Sequence, residues 1–210
     1  MPWGSLEVIT GPMFSRKTEE LLWRLEQVRL AGRKALLFKP VIDTRYAKDA
    51  VVTHDGREVK AHLLQPGEES LEKLEEIVGA KALKEADVVA FDEGNFFSER
   101  FPALCEELVA LGKRVIVAGL DLTYAGEPFG PMPTLLALAD KVEKRAAICT
   151  RCGGFATRTQ RLIAGKPAPL NGPVIKVGGA ESYAPRCRQC YAEERGETYG
   201  ASHGSARTGE

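Results

Sequence analysis

The chain has 210 residues, 44% hydrophobic and 28% charged, which excludes a disordered protein and allows one globular domain with a smaller appendage. Lys and Arg total 29, as do Asp and Glu, so no overall positive field draws the protein to nucleic acids or anionic lipids. The N-terminal residues lack the features of a signal peptide, and no run approaches the roughly 18 apolar residues of a membrane span. We therefore expect a cytoplasmic protein with neither a nucleic-acid nor a membrane partner.

The first part of the chain alternates short apolar runs with longer stretches of helical spacing. This pattern predicts an α/β fold, with a mainly parallel sheet covered by helices. The apolar runs predict four core strands, at residues 6–10, 35–38, 88–91 and 115–119. The helical spacing predicts helices at residues 17–31, 70–78, 101–111 and 132–139. An extended arm is predicted between residues 43 and 56.

A phosphate-binding loop is predicted between the first strand and the first helix. There, backbone N–H groups and a helix N-terminus can surround a phosphate. Lys17 would contact the β- and γ-phosphates of ATP, and the Thr18 hydroxyl would bind the Mg²⁺ that bridges them. The alternative is a plain strand-turn-helix, because Arg16 stands where the template has glycine. The predicted ATP-binding residues of this loop are Gly11, Pro12, Met13, Phe14, Ser15, Arg16, Lys17 and Thr18.

Two carboxylates, Asp92 and Glu93, follow the apolar run at residues 88–91. Ligands of open parallel sheets collect at the carboxyl ends of strands. Asp92 would organise Mg²⁺, and Glu93 would accept a proton from the attacking oxygen. The alternative is that the pair only begins a solvated loop. The motif leaves open whether the oxygen belongs to water, as in an ATPase, or to a substrate hydroxyl, as in a kinase.

Four of the five cysteines form two Cys-x-x-Cys pairs, Cys149 with Cys152 and Cys187 with Cys190. This spacing is typical of a closed tetrahedral Zn²⁺ site, in which the metal is structural. The competing interpretation is a redox-active dithiol. Cys105 lies in a predicted helix beside leucines and is interpreted as a buried apolar residue.

The composition changes near residue 147, where glycines, prolines and cysteines replace the periodic apolar runs. We therefore predict a nucleotide-binding domain at residues 1–146 and a zinc subdomain at residues 147–195. Residues 196–210 contain almost no bulky apolar side chain and are predicted to be a disordered tail.

Taken in order, these motifs resemble the zinc-containing thymidine kinases. They are Gly11-Pro-Met-Phe-Ser-x-Lys-Thr18, Asp43-Thr-Arg45, Asp92-Glu-Gly-x-Phe-Phe97, Gly119-Leu-Asp121, Pro128-Phe-Gly130 and the two cysteine pairs. The resemblance covers residues 4–191. It implies a phosphate-loop, RecA-like domain with a small zinc-ribbon-like subdomain that carries a lasso loop.

The resemblance also implies an activity, transfer of the ATP γ-phosphoryl to the 5′-hydroxyl of thymidine or deoxyuridine. Glu93 would be the catalytic base, Asp43 would belong to the Mg²⁺ environment, and Arg45 would lie near the phosphates. The lasso loop would span residues 153–185. The nucleoside would lie among Met13, Phe96, Leu120, Tyr124, Phe129, Thr159, Val174, Gly178 and Tyr183. A homotetramer and feedback inhibition by deoxythymidine triphosphate (dTTP) are also implied.

For the apolar members of this nucleoside site, a place in the core is an open alternative. Two positions depart from the family pattern, since Arg16 replaces glycine in the phosphate loop and Asn95 replaces glutamine in the acidic motif; either could lower activity.

Two other functions are alternatives: an ATPase or motor, and a zinc module that binds nucleic acid. The basic stretch at residues 141–161 has few aromatic side chains, which favours a solvated or phosphate-facing surface over nucleic-acid binding.

Overall fold

The computed structural model describes residues 4–41, 50–52, 58–170, 172–173, 179 and 181–196. Its strands are β1 Ser5–Thr10, β2 Ala35–Pro40, β3 Ala50–Val52, β4 Glu58–Lys60, β5 His62–Leu64, β6 Val88–Phe91, β7 Arg114–Gly119, β8 Lys141–Lys144, β9 Ala147–Ile148, β10 Phe155–Ala156, β11 Arg158–Ile163, β12 Lys166–Pro167 and β13 Tyr183–Arg186. Its α-helices are α1 Lys17–Leu30, α2 Leu71–Val78, α3 Ala80–Glu85, α4 Phe101–Ala110, α5 Met132–Leu138 and α6 Arg188–Glu193. None of the helices in these ranges has the length and apolarity that a bilayer span requires.

The main sheet has six strands in the order β5-β2-β6-β7-β1-β8. All of its pairings are parallel, which confirms the predicted α/β class. The prediction of four core strands before residue 141 was wrong, because β5 also belongs to the sheet; β8, from residue 141, adds a sixth strand that was not predicted. Strand β5 is only three residues long, and β8 reads Lys-Val-Glu-Lys, a charged edge strand without the apolar run that marks a buried one.

Apolar side chains cover both faces of the sheet, as a parallel sheet requires. On one face, Ile9, Leu37 and Ile116 pack against Leu21 and Leu25 of α1. The second cluster combines side chains of the opposite face with side chains of helices α2 to α5 and includes Cys105, which is fully buried as predicted. The carboxyl ends of β1, β6, β7 and β8 therefore meet at one supported edge.

Small antiparallel sheets follow the main sheet. Strand β9 pairs with β10, and β11 pairs with both β12 and β13. The division at residues 146 and 195 stays a prediction. The predicted tail lies outside the described residues after Gly196, and of the predicted arm the structure describes only residues 50–52, which pair with β4.

Candidate active site

The predicted phosphate loop lies between β1 and α1, as the sequence indicates. It begins at Gly11, whose φ is +136° and whose added Cβ would lie 2.2 Å from the carbonyl oxygen of Arg145. Only glycine fits such a close approach of two backbones. Inside the loop, the Ser15 hydroxyl and the Lys17 ammonium both donate to the Pro12 carbonyl, each at 2.8 Å. Both hydrogen bonds close the loop around the Pro12 carbonyl.

Arg16 occupies the last loop position in a left-handed conformation, with φ 59° and ψ 39°. A residue with a β-carbon pays about 1–2 kcal/mol for this conformation, whereas glycine adopts it freely. The side chain is exposed and is therefore not packed against the loop. The departure from glycine at this position therefore strains the backbone of the loop.

A hydroxyl–carboxylate contact joins the phosphate loop to the acidic motif. The Thr18 hydroxyl donates to the carboxylate of Asp92, with Oγ1 at 3.0 Å from Oδ2. Asp92 is 6% exposed, and burial raises its pKa, while the Glu93 N–H and the Thr18 hydroxyl oppose the shift. Such a buried position contradicts the alternative of a solvated loop. The oxygens of Thr18 and Asp92 are the hard donors that Mg²⁺ prefers.

Glu93 directly follows Asp92 and, like Arg16, is left-handed, with φ 53° and ψ 39°. Non-glycine residues in this conformation cluster at active sites. Burial and the charge of Asp92 raise the pKa of Glu93 to about 7, against the opposing charge of Lys17. Burial also lowers the pKa of Lys17, whose charge is nevertheless favoured by Glu93, Asp92 and Asp121. A carboxyl group that titrates near neutral pH can accept a proton under physiological conditions.

Several predicted nucleoside-site residues form pairs. Thr159 on β11 is buried, and its hydroxyl accepts a 3.0 Å hydrogen bond from the Met13 N–H. This bond ties the phosphate loop to the C-terminal sheets. Phe96 and Phe129 contact each other edge to face, with ring centroids 5.4 Å apart. Phe96 is partly exposed, whereas Phe129 is buried.

Tyr124 differs from the expectation of a simple pocket wall. It is 4% exposed, and its hydroxyl lies 3.0–3.2 Å from the carbonyl oxygens of Pro169, Leu170 and Gly172. The Arg161 guanidinium covers the Tyr124 ring at 5.2 Å and donates to the Pro173 carbonyl at 2.7 Å. Tyr124 and Arg161 together therefore hold residues 169–173, which lie within the predicted lasso loop.

Asn95, the departure from the family pattern in the acidic motif, is 2% exposed. Its side-chain oxygen accepts a 2.8 Å hydrogen bond from the N–H of Leu120, which is half-buried and directly follows β7. Asn95 thereby links the acidic motif to the next strand end. Tyr183 is buried on β13, where it pairs in register with Arg161.

The four paired cysteines converge, as predicted. The Sγ atoms of Cys149, Cys152, Cys187 and Cys190 all lie within 4.8 Å of one another. Four sulfurs around zinc at about 2.3 Å would stand roughly 3.8 Å apart, so the arrangement fits a tetrahedral Zn²⁺ site. Two short turns present them: the Gly153 N–H donates to the Cys149 carbonyl, and the Cys190 N–H donates to the Cys187 sulfur.

Comparison with known proteins identifies the family. The family model described as thymidine kinase matches residues 4–191. A thymidine kinase of Halobacterium salinarum is 43% identical over 192 residues, which cover 91% of this chain and 96% of the relative. The chain belongs to the thymidine kinase family. Membership confirms the resemblance that the motifs indicated, and it implies ATP and thymidine as substrates.

Four residues that resemblance to the thymidine kinases assigned to the site, Asp43, Arg45, Val174 and Gly178, lie outside the described residues. Their predicted roles stay predictions. The basic stretch contains contacts that sequence reasoning missed. Arg161 was placed on a solvated or phosphate-facing surface, but it is 6% exposed because it packs on Tyr124.

Other cations of that stretch also have acidic partners. Lys144 pairs with buried Asp121 at 2.7 Å, and Arg151 pairs with Glu193 at 2.9 Å. Arg145 pairs with Glu20 and Glu143. These ion pairs give the charges an intramolecular role, which argues against the nucleic-acid interpretation. No local motif marks them, since each partner is distant in sequence or lies on a missed strand.

Proposed function

We propose that the protein transfers the γ-phosphoryl group of ATP to the 5′-hydroxyl of thymidine or deoxyuridine, giving the monophosphate. Family membership supports the reaction class. The observation that carries the site is the contact of Thr18 with buried Asp92, directly beside a glutamate whose pKa is raised to about 7. The proposed phosphate loop, metal-binding pair and base thus share one edge of the sheet.

The phosphate loop would hold the triphosphate. The loop leads directly into the N-terminus of α1, where the helix dipole favours negative charge. Lys17 would bind the β- and γ-phosphates as a point charge. Thr18 and Asp92 would hold Mg²⁺, which supplies charge neutralisation on the phosphate oxygens. Asp43 and Arg45 are proposed to complete this environment.

Glu93 would act as the base. Its raised pKa matches the task of receiving the proton of the 5′-hydroxyl as the oxygen attacks phosphorus. The neighbouring charge of Lys17 opposes the upward shift, so the carboxyl remains ionised in a large fraction of molecules near pH 7. The proton leaves the hydroxyl for a Glu93 oxygen, and the leaving group is ADP.

The nucleoside would lie between the Phe96–Phe129 pair and the loop after β11, with Met13, Leu120, Tyr124, Thr159, Val174, Gly178 and Tyr183 around it. Backbone groups of the loop would hydrogen-bond the base edge. A purine would leave those groups unpaired in a buried site, which gives strong discrimination.

We further propose that Zn²⁺ on the four cysteines holds both ends of the lasso loop. The thiolates suit zinc, and among the described residues the hydrophobic cluster there is small: Ala147, Cys149, Ala156 and Cys190, with Cys187 packed against it. Reduced cysteines in a zinc site fit a cytoplasmic location. By resemblance to the family, we expect a homotetramer inhibited by dTTP.

A nucleoside panel tests the reaction. Purified protein with MgATP is incubated with thymidine, deoxyuridine, deoxyadenosine, deoxyguanosine or no nucleoside, and both ADP and nucleoside monophosphate are measured. We expect thymidine to raise ADP release far above the level in water alone, with stoichiometric monophosphate, and the purines to have little effect. Equal ADP release with and without nucleosides would identify an ATPase and overturn the proposal.

A further inference from the structure

Arg145 contacts the phosphate loop directly beside Arg16, the position where the loop departs from the glycine template. Its side-chain Nε donates to the Ser15 carbonyl oxygen at 3.0 Å. That carbonyl belongs to the peptide unit between Ser15 and Arg16, and the orientation of this unit is set by ψ of Ser15 and φ of Arg16. A hydrogen bond to this oxygen therefore acts on the left-handed φ of Arg16.

The guanidinium of Arg145 is itself held in place by a closed ring of charges. Its Nη1 contacts Glu20 Oε2 at 3.0 Å and Glu143 Oε1 at 2.6 Å. The other oxygen of each carboxylate contacts Arg24, which is 6% exposed. The ring joins α1 to the edge strand β8. Two shared partners fix the direction of the Arg145 Nε–H bond more firmly than a single surface ion pair could.

The Arg145 main chain also contacts the start of the loop. Its N–H donates to the Thr10 carbonyl at 2.8 Å, and its own carbonyl lies where a Cβ on Gly11 would fall. Arg145 thus reaches both ends of the phosphate loop, with its backbone at Gly11 and its side chain at Ser15.

We propose that Arg145 is a positioning residue for ATP binding, which holds the Ser15–Arg16 peptide in the orientation that a glycine would adopt unaided. The proposal rests on the proposed role of the loop in binding ATP. If this is so, ATP binding depends strongly on Arg145 when residue 16 is arginine. It depends only weakly on Arg145 when residue 16 is glycine, because glycine reaches the left-handed region without strain.

A double-mutant cycle tests whether the effect of Arg145 depends on residue 16. Arg145→Gln, Arg16→Gly and the double variant are compared with the parent chain by calorimetric titration with a non-hydrolysable MgATP analogue. In the parent, Arg145→Gln is expected to weaken analogue binding about tenfold, the loss of one charge-assisted hydrogen bond. In the Arg16→Gly background, the same change is expected to cost less than about threefold.

Arg114→Gln is the matched control, since Arg114 contacts Glu7 of the same ion network from the start of β7, the end of the sheet away from the loop. It should change analogue affinity less than about twofold. Equal losses from Arg145→Gln in both backgrounds, no loss in the parent, or an equal loss from Arg114→Gln would overturn the proposal.

Thermal unfolding of every variant separates a folding defect from a binding defect. A lower Tm with unchanged affinity in Arg145→Gln would make the arginine structural only and would likewise overturn the proposal. Analogue binding needs no nucleoside. Failure to phosphorylate thymidine would therefore contradict the proposed function without deciding this measurement.

Discussion

The ATP side and the proposed nucleoside side of the active site are supported in different ways. The phosphate loop and the acidic motif extend from β1 and β6, strands of a six-stranded sheet that apolar side chains cover on both faces. The predicted lasso loop contains short antiparallel strands, and the hydrophobic cluster beside them is far smaller. A large core can hold the first side without ligands, whereas the second has few polar contacts and, in our proposal, depends on a metal.

This contrast predicts which substitutions affect catalysis or ATP binding and which affect nucleoside binding. Changes on the sheet side should affect catalysis or ATP binding and leave the fold intact. Changes at the cysteines or at Tyr124 should first affect nucleoside binding. Measurements of KM for each substrate therefore report on one side at a time.

The largest expected effect is that of Glu93→Gln, which removes the proposed base but keeps its size. We expect kcat to fall by about 10²–10⁴-fold, the usual contribution of a positioned base. Affinity for a MgATP analogue should change little, because Thr18, Asp92 and Lys17 remain. Single-turnover kinetics and analogue titration check both parts; turnover near the parent level would show that another group takes the proton.

Removal of the metal should weaken thymidine binding and leave ATP binding nearly unchanged. For Cys187→Ser, we expect zinc content to fall from about one per chain towards zero and thymidine affinity to fall by about 100-fold or more. Affinity for the ATP analogue should stay within about threefold, because the main sheet needs no zinc. Zinc analysis by mass spectrometry and two separate titrations measure these changes.

The matched control for the metal is Cys105→Ala, which removes a thiol buried in the core of the main sheet. It should keep zinc and thymidine affinity while lowering Tm. Equal loss of both ligands in Cys187→Ser would show that the two sides are not supported separately.

The sequence predicted most of the ATP side because its residues are close together along the chain. The loop at residues 11–18 and the pair Asp92–Glu93 each follow a strongly apolar strand, so both motif and context are local. Their meeting follows from the rule that parallel strands end at one edge. The hydrogen bond from Thr18 to Asp92 joins the two motifs at that edge.

The missed features depend on partners that are distant in sequence. Strand β8 has a charged, half-solvated sequence, and its place beside β1 becomes visible only when the sheet is formed. Arg145 directly follows β8, so its contact with Ser15 was not predicted, for the same reason. Arg161 looked like a solvated cation because its partner Tyr124 is 37 positions away, a separation that follows from their residue numbers.

The pH dependence tests the electrostatics of the ATP side. Because Glu93 must be ionised to act as a base and its pKa is about 7, kcat/KM for thymidine should fall about tenfold per unit below that pH. In the folded protein this pKa lies above the ordinary 4.5, so Glu93 contributes stability that is lost as pH rises from about 4.5 to about 7. Glu93→Gln should therefore remove part of that pH dependence of the free energy of unfolding. A rate profile that is flat between about pH 5.5 and about pH 7.5, from about 1.5 units below the expected pKa to about 0.5 unit above it, would contradict the assignment.

The smallest expected effect concerns the Tyr124 hydroxyl, which Tyr124→Phe deletes while keeping the ring under Arg161. The hydroxyl lies within hydrogen-bonding distance of three carbonyl oxygens of the loop, and it can donate to only one of them at a time. Its loss should raise KM for thymidine by about three- to tenfold and leave KM for ATP unchanged. Steady-state kinetics with each substrate varied in turn measure the split. If KM for ATP rose equally, Tyr124 would support the phosphate loop through the Met13–Thr159 contact, and the separation of the two sides would fail at that hydrogen bond.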